Sequence, residues 1–217
     1  MKSILHVSCS PRGRTSESYR LSQAIIGFLL LKEPKAVVIN RVIGGGTMPH
    51  IDENYAISQA SVTDVSVDGS MAVSEELVRE VERSDYLLIG TPMHNFTVPS
   101  VLKAWIDHVV RARRTFNTTP AGKVGTLRDR PVYVAIASGG RFSGEHARQP
   151  DFLTPYLTAV LGIIGLHDLR FFSVQGTGAP PSVVAETRAR SHQALEQHFA
   201  ASVSEQRYDP NSSSLVG

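Results

Sequence analysis

The sequence YLLIG at residues 86–90, followed by TPMHNFTVPS at residues 91–100, decides the fold. YLLIG is a continuous apolar run, which is typical of a strand buried on both faces of a parallel sheet. The run ends in a polar loop with two prolines, and apolar residues at helical spacing over 101–110 then predict an amphipathic helix. The stretch therefore predicts one strand–loop–helix unit of an α/β protein.

The same unit recurs on both sides of this stretch. Short apolar runs predict further strands at residues 3–9, 36–43, 131–137 and 169–175. Apolar residues at helical spacing predict helices around residues 21–29, 77–81, 152–164 and 181–200. No hairpin signal separates any pair of strands, so the alternation predicts a five-stranded parallel sheet with helices on both faces.

Five parallel strands of this kind favour the order 2-1-3-4-5, which is that of the flavodoxin-like three-layer sandwich. In this order the ligand crevice lies where the loops after strands 1, 3 and 4 meet. We expect one domain over residues 1–201 that contains a long polar stretch at 44–70. The polar residues 202–217 are expected to form a disordered tail.

Composition narrows the class of protein. The net charge of +2 is too small to indicate binding to nucleic acid. A single cysteine, Cys9, excludes an intrachain disulfide and favours a reducing compartment. No apolar stretch approaches the roughly 20 residues that a membrane span requires. We therefore expect a cytoplasmic protein that binds neither nucleic acid nor membrane, and no metal site is predicted.

The loop after the first strand, residues 10–18, has the features of an anion site. Ser10, Ser16 and Ser18 can donate to a phosphate, and the start of the following helix offers free backbone amides. The loop lacks both GxGxxG and GxxxxGK[ST], so it is neither a dinucleotide fingerprint nor an ATP-binding loop. The alternative is an ordinary polar turn with a serine cap.

The loop after the third strand combines the apolar residues Met93 and Phe96 with the polar residue Asn95. A flat heteroaromatic ring needs apolar cover together with donors at its polar edge, and this loop offers both. The alternative is a structural loop whose Met and Phe fill the core. A lone loop histidine such as His94 is usually solvated, so it is not favoured as an acid or base.

The loop after the fourth strand begins Ser138-Gly139-Gly140-Arg141. Its glycines permit a close backbone approach, so that amides can meet a ring carbonyl. A plain glycine-rich turn is the alternative. The three loops are predicted to lie at the same end of one sheet, beside its switch point, and together they indicate a flat, phosphorylated ligand.

Four segments resemble the FMN-dependent NADH-azoreductases, also described as quinone reductases. They are the Ser10 loop with SES at 16–18, GTPMHNF at 90–96, SGG at 138–140 and DFLTPYLTAVLGIIGLHDLRF at 151–171. The resemblance implies a flavodoxin-like homodimer with FMN in each site. The phosphate would lie on Ser10, Ser16, Glu17 and Ser18. The ring would lie against Met93, His94, Asn95 and Phe96, and against Ser138, Gly139, Gly140 and Arg141.

The resemblance also implies a ping-pong reaction. NADH or NADPH gives hydride to the flavin and leaves, and a quinone or azo compound is then reduced in the same place. No side chain is assigned as a general acid, because the flavin performs the chemistry. Three departures from the family bear on substrate range. His94 stands where the family often has tyrosine, and SGGR at 138–141 replaces SRGG. The segment FSGEHARQP at 142–150 also differs from the family's pattern.

Two rival functions are also compatible with the sequence. Low-molecular-weight phosphatases share this topology and use a Cys-x5-Arg loop, whereas Cys9 and Arg14 are one residue closer, with Asp209 as a candidate acid. The other rival is a flavodoxin-type electron carrier or a flavin-binding sensor. Carriers are usually strongly acidic, and this chain is near neutral to basic.

Overall fold

The computed structural model of the protein describes residues 1–46, 48–60 and 69–207. The strands are β1 (Ser3–Ser8), β2 (Val37–Val42), β3 (Tyr86–Pro92), β4 (Phe116–Thr119), β5 (Gly122–Gly125), β6 (Val132–Ser138) and β7 (Leu169–Gln175). The helices are α1 (Glu17–Lys32), α2 (Glu53–Ala60), α3 (Gly69–Arg83), α4 (Ser100–Val109), α5 (Leu153–Ile163) and α6 (Pro181–Arg207).

The main sheet has five strands in the order β2-β1-β3-β6-β7, and every neighbouring pair is parallel. This confirms the predicted order 2-1-3-4-5, because β6 and β7 are the fourth and fifth strands of the main sheet. The strands β1, β3 and β6 are consecutive neighbours. The loops that follow these strands therefore leave the sheet side by side at its C-terminal edge.

Both faces of β3 are buried, which explains its continuous apolar sequence. Leu87 and Ile89 pack into a core with apolar residues of α3, α4 and α5. Tyr86 and Leu88 point the other way, into a second core formed with α1 and α6. The result is the predicted three-layer sandwich, in which alternate residues of a strand serve opposite cores.

The structure contains a hairpin in addition to the five predicted strands. β4 and β5 form an antiparallel pair of their own outside the main sheet. Pro120 and Ala121 connect them, and Gly122 adopts a φ of +115° that favours glycine. The sequences FNTT and GKVG are too short and too polar to produce a clear alternation of apolar residues, so periodicity alone does not reveal this pair.

Two further boundaries differ from the predicted ones. The polar stretch 44–70 contains α2 and the first residues of α3. The last helix continues to Arg207 rather than ending at residue 200. Residues 208–217 of the predicted tail, with Asp209, lie outside the described residues, so the disorder of the tail stays a prediction.

A helix that spans a membrane needs about 20 predominantly apolar residues. None of the helices in the described residues combines the length and the apolar content needed to cross a bilayer.

Candidate functional site

The β1–α1 loop places three serine side chains at the start of α1. Ser10, Ser16 and Ser18 are all buried, with exposed fractions of 4%, 5% and 1%. Ser16 caps the helix, because its hydroxyl oxygen accepts a hydrogen bond from the backbone of Tyr19 at 3.2 Å. The hydroxyls of Ser16 and Ser18 lie 3.4 Å apart. Polar groups are therefore concentrated at the positive end of the helix dipole.

Backbone amides complete this end of the site. The N–H of Tyr19 and that of Arg20 both bond to Ser16. Within the described part of the chain, the N–H groups of Glu17 and Ser18 meet no acceptor. Free amides in the first turn of a helix are the donors that bind phosphate in many proteins.

The Glu17 side chain serves a different purpose from its backbone. Its carboxylate accepts two hydrogen bonds from Arg188 of α6, at 2.6 and 2.7 Å. This pairing with Arg188 is the main reason that the pKa of Glu17 lies below its usual value. Arg188 thus neutralises the carboxylate. An anion bound at the start of α1 is therefore repelled less than it would be by an unpaired carboxylate.

Gly44, which sequence reasoning missed, supports the β1–α1 loop from the side. A Cβ atom at this position would lie 2.1 Å from the carbonyl oxygen of Ser10 and 2.4 Å from its carbonyl carbon. Only glycine allows the β2–α2 connection to pass so close to Ser10. The sequence contains the signal as the run Gly44-Gly45-Gly46, but the run alone does not reveal its partner.

The β3–α4 loop forms a tight hairpin turn with unusual backbone geometry. Asn95 and Phe96 have φ angles of +48° and +70°, in the left-handed region that bulky residues avoid. Paired hydrogen bonds between His94 and Thr97, at 2.9 and 3.0 Å, close the turn. Strained backbone of this kind persists where the surroundings enforce it, and it concentrates at functional sites.

The turn presents an aromatic side chain to solvent. Phe96 is 43% exposed, and its carbonyl accepts a hydrogen bond from the N–H of Phe152, which is itself 59% exposed. The side chain of His94 is also exposed, whereas that of Met93 is buried. Two neighbouring exposed phenylalanines therefore lie at this edge of the sheet.

The β6–α5 loop is fixed through its carbonyl groups. The carbonyls of Ser138, Gly139 and Gly140 accept hydrogen bonds from Thr177, Gly178 and Gly176 at 3.0, 3.4 and 3.2 Å. Among the described residues, the N–H groups of Gly139 and Gly140 have no acceptor. The loop is held from one side and keeps two amide donors available for a ligand.

Gln149 lies in the β6–α5 loop and connects it to the β3–α4 loop. This residue was not predicted. Its side-chain amide lies 3.0 Å from the hydroxyl of Ser138 and 3.1 Å from the sulfur of Met93. The backbone N–H of Met93 also donates to Ala137 at 2.8 Å. The structure thus brings Met93 and Ser138 together as predicted. Arg141 lies farther out, in the wall of a groove beside β7.

Cys9 does not have the properties of a phosphatase nucleophile. Its side chain is fully buried, and burial raises the pKa of the thiol well above its ordinary value. A nucleophilic cysteine requires the opposite, an accessible thiol with a lowered pKa. Together with the short spacing to Arg14, this burial argues against a phosphatase loop.

We expect Cys9 to be unreactive toward an aromatic disulfide reagent while the protein is folded. The reason is that attack requires an exposed thiolate, and Cys9 offers neither exposure nor charge. The measurement is the absorbance of released thiolate, first in buffer and then in guanidinium chloride, where one thiol should react. Rapid labelling in buffer would contradict the buried position.

Comparisons with known proteins agree with this geometry. A family model described as flavodoxin-like fold matches residues 2–199. "FMN-dependent NADH:quinone oxidoreductase 4" of Pseudomonas fluorescens is 45% identical over 202 residues, covering 92% of this chain and 97% of that protein. "FMN-dependent NADH:quinone oxidoreductase 5" of Burkholderia lata is 44% identical over 190 residues, covering 88% and 93%.

Solved structures agree on the fold. An azoreductase from Bacillus anthracis superposes with a TM-score of 0.78 at 21% identity, covering 92% of this chain and 99% of that one. An FMN-dependent NADH-azoreductase of the same organism, in complex with FMN, gives 0.72 at 22% identity and covers 92% and 100%. From the family model and the curated relatives, the chain belongs to the flavodoxin-like family of FMN-dependent NADH:quinone oxidoreductases.

Proposed function

We propose that this protein is an FMN-dependent oxidoreductase that accepts hydride from NADH and reduces quinones and azo compounds. The observation that carries the proposal is the 45% identity to a relative named FMN-dependent NADH:quinone oxidoreductase, which extends over 92% of this chain. The site has the donors that such a cofactor needs, because free amides and buried serines follow β1 and free glycine amides follow β6.

The residues at α1 fit the phosphate of FMN. Ser10, Ser16 and Ser18 supply hydroxyls, and the backbone of Glu17 and Ser18 supplies free N–H donors at the positive end of a helix. The carboxylate of Glu17 is paired with Arg188, so only its backbone is assigned to the phosphate. These residues fix the cofactor through charge-assisted hydrogen bonds.

The other two loops fit the flat ring. Met93, His94, Asn95 and Phe96 form a rigid turn that can cover one side of an aromatic system. The free N–H groups of Gly139 and Gly140 can donate to ring carbonyl oxygens, with Ser138 and Arg141 on either side. Donors at this edge also stabilise negative charge that develops on the ring.

The division of work follows from these assignments. Bound FMN supplies two-electron chemistry, which passes hydride from the nicotinamide to the acceptor in two successive half-reactions. The chain binds and orients the ring, and its glycine amides set the electrostatics of the polar edge. The acceptor takes up a proton as well as the hydride, and solvent can supply that proton, so none of the site side chains is assigned as a catalytic acid.

The test is direct. The purified protein should be yellow, and the flavin released on denaturation should be FMN rather than FAD. In the absence of oxygen, NADH should reduce the flavin and abolish its yellow absorbance. A quinone should then restore the absorbance with no partner protein present. Steady NADH oxidation under these conditions excludes a pure electron carrier. A colourless protein that takes up no FMN would contradict the proposal.

Ser18→Ala is expected to weaken FMN binding about tenfold, because one hydrogen bond to a charged group is worth about 1.5 kcal/mol at the low end of its range. The hydroxyl of Ser18 is buried beside the helix cap, and the cap itself, Ser16, is left intact. The control is Ser22→Ala, one turn further along α1, whose hydroxyl bonds only within the helix to Ser18. The affinities are measured by flavin fluorescence. Equal FMN affinities in the two variants would show that Ser18 does not contact the phosphate.

We further propose that the protein acts as a cytoplasmic homodimer. Phe96 and Phe152 are neighbouring and exposed, and adjacent exposed aromatic residues often mark surfaces that another molecule covers. The lone, buried Cys9 suits a reducing compartment. Sedimentation equilibrium should give twice the chain mass, and Phe152→Ser should shift the protein toward monomer.

A further inference from the structure

A groove runs beside the outer edge of β7, next to the loop 138–141. Its volume is about 320 Å³, which lies at the lower end of the range for ligand sites. The walls are the residues after Gly140, the edge strand β7 and the first half of α6. The groove therefore begins where the proposed binding site for the flavin ring ends.

The charge of the groove is positive. Its lining includes Arg141 and Arg190 but no carboxylate. Within the described part of the chain, Arg141 forms no ion pair. Arg190 meets Glu186 at 3.6 Å, and both side chains are about two-thirds exposed, so this pair is weak. Both guanidinium groups are available for an anion that presents several oxygens.

A neutral donor lies in the same wall. Ser191 is 94% buried, since only 6% of the residue is exposed, and it lines the groove. Its hydroxyl has no hydrogen-bond partner among the described residues. A buried hydroxyl that lacks a partner is unusual in a folded protein, and a bound oxygen would satisfy it.

The opposite wall is rigid. The side-chain carbonyl of Gln175 accepts from the backbone of Phe142 and Ser143 at 2.8 and 3.1 Å. Its amide donates to the hydroxyls of Ser143 and Ser173 at 2.6 and 3.0 Å. Gln175 thereby fixes the segment that carries Arg141, which lowers the cost of ordering a ligand there.

We propose that this groove binds the diphosphate of the nicotinamide dinucleotide while its nicotinamide lies on the flavin. The inference rests on the proposed function, because it assumes a hydride donor at the ring. The chain lacks GxGxxG, so no dinucleotide fingerprint is available to hold the diphosphate. Arg141, Arg190 and Ser191 supply the donors that such a fingerprint would otherwise provide.

The test compares two hydride donors in the holoenzyme. NADH carries the diphosphate, whereas reduced nicotinamide riboside carries the same reacting ring without any phosphate. Arg190→Ala should raise the KM for NADH about tenfold, through loss of a charge-assisted contact. Rates with the riboside and the FMN content should stay unchanged. Arg128→Ala is the matched control. This exposed arginine lies beside Asp85, at the N-terminal end of the strands and therefore at the other end of the sheet from the proposed site.

Binding is measured separately from turnover. ADP-ribose contains the diphosphate and lacks nicotinamide, so its Kd for the holoprotein reports the groove alone. Calorimetry should show Kd about tenfold weaker in Arg190→Ala, and weaker also in Ser191→Ala. This readout stands even if the wild-type enzyme oxidises neither donor, a result that would contradict the proposed function instead.

Three results would overturn the assignment. The first is an unchanged KM for NADH together with an unchanged Kd for ADP-ribose in Arg190→Ala. The second is an equal rise in KM for NADH and for the riboside, which would mean that the substitution acts through the flavin site. The third is an effect on NADPH alone, which would place the 2′-phosphate rather than the diphosphate in the groove.

Discussion

Gly44→Ala is expected to lower the affinity for FMN about a hundredfold in a protein that still folds. The new Cβ would lie 2.1 Å from the carbonyl oxygen of Ser10 and 2.9 Å from the carbonyl carbon of Cys9. These are backbone atoms, so no side chain can rotate away. The β1–α1 loop must therefore shift. Misalignment of two hydrogen bonds to the phosphate, each worth about 1.5 kcal/mol, lowers the affinity by about a factor of 100.

The substitution should also lower the free energy of unfolding. Overpacking of a well-packed region costs about 1–3 kcal/mol, and Gly44 follows Ile43 and lies against Cys9, both of which belong to the core on one face of the sheet. Urea unfolding followed by circular dichroism gives this quantity. Flavin fluorescence during titration of the apoprotein gives the Kd for FMN.

Gly45→Ala is the matched control. Gly45 is the next residue, it is exposed, and a Cβ there meets nothing within 4 Å. The same chemical change should therefore leave both FMN affinity and stability close to wild type. If the two variants bind FMN equally, the close approach at Ser10 does not position the cofactor.

This contact illustrates what the sequence can and cannot predict. The strand order and the edge that carries the site follow from local signals, namely the apolar runs and the loops after them. The partner of Gly44 depends on how β1 and β2 align, with Ser3 opposite Val37 and Ser8 opposite Val42. A glycine run carries no information about such an alignment.

Gln149 was missed for a similar reason. It lies 56 residues from Met93 in sequence, and its contact with Met93 and Ser138 depends on the path of the loop 139–152. The hairpin β4–β5 was missed because its strands are short and polar. By contrast, Ser16 was predictable as a cap, because a serine before an amphipathic run is a strong local signal.

The second large effect concerns stability. Glu75→Gln is expected to lower the free energy of unfolding by about 1.5–3 kcal/mol, because a neutral amide replaces a carboxylate that accepts charge-assisted hydrogen bonds from two arginines. Arg111 is only 2% exposed and donates to Glu75 at 2.6 Å and to Ser74 at 3.0 Å. Arg114 donates to the same carboxylate at 3.1 Å.

The contribution of this cluster to the free energy of unfolding should depend on pH. Hydrogen bonds from Arg114 are the main reason that the pKa of Glu75 falls from 4.5 to about 2. A lowered pKa in the folded state means that the contribution of Glu75 is complete above about pH 5 and is lost as the pH falls toward 2. Urea unfolding at pH 7, 4 and 2.5 should therefore show wild type and Glu75→Gln converging at low pH.

Two further variants separate charge from packing. Glu76→Gln changes the neighbouring residue, which is 62% exposed and pairs with Arg41 at the surface, so it should cost less than about 1 kcal/mol. Glu75→Gln combined with Arg111→Met removes both charges and should recover part of the loss, because apolar residues can replace a buried ion pair. No recovery in the double variant would show that Glu75 acts by packing alone.

The position of this cluster connects stability with the site. Ser74 donates to the carbonyl of His108 at 2.6 Å, so Arg111, Ser74 and Glu75 together hold α3 against the end of α4. The helix α4 begins directly after the loop that carries Met93 and Phe96. Glu75→Gln should consequently also raise the Kd for FMN, but by less than Gly44→Ala, because the strained turn keeps its own hydrogen bonds between His94 and Thr97. A larger loss of FMN affinity in Glu75→Gln than in Gly44→Ala would mean that α4, rather than the contact at Ser10, controls the geometry of the site.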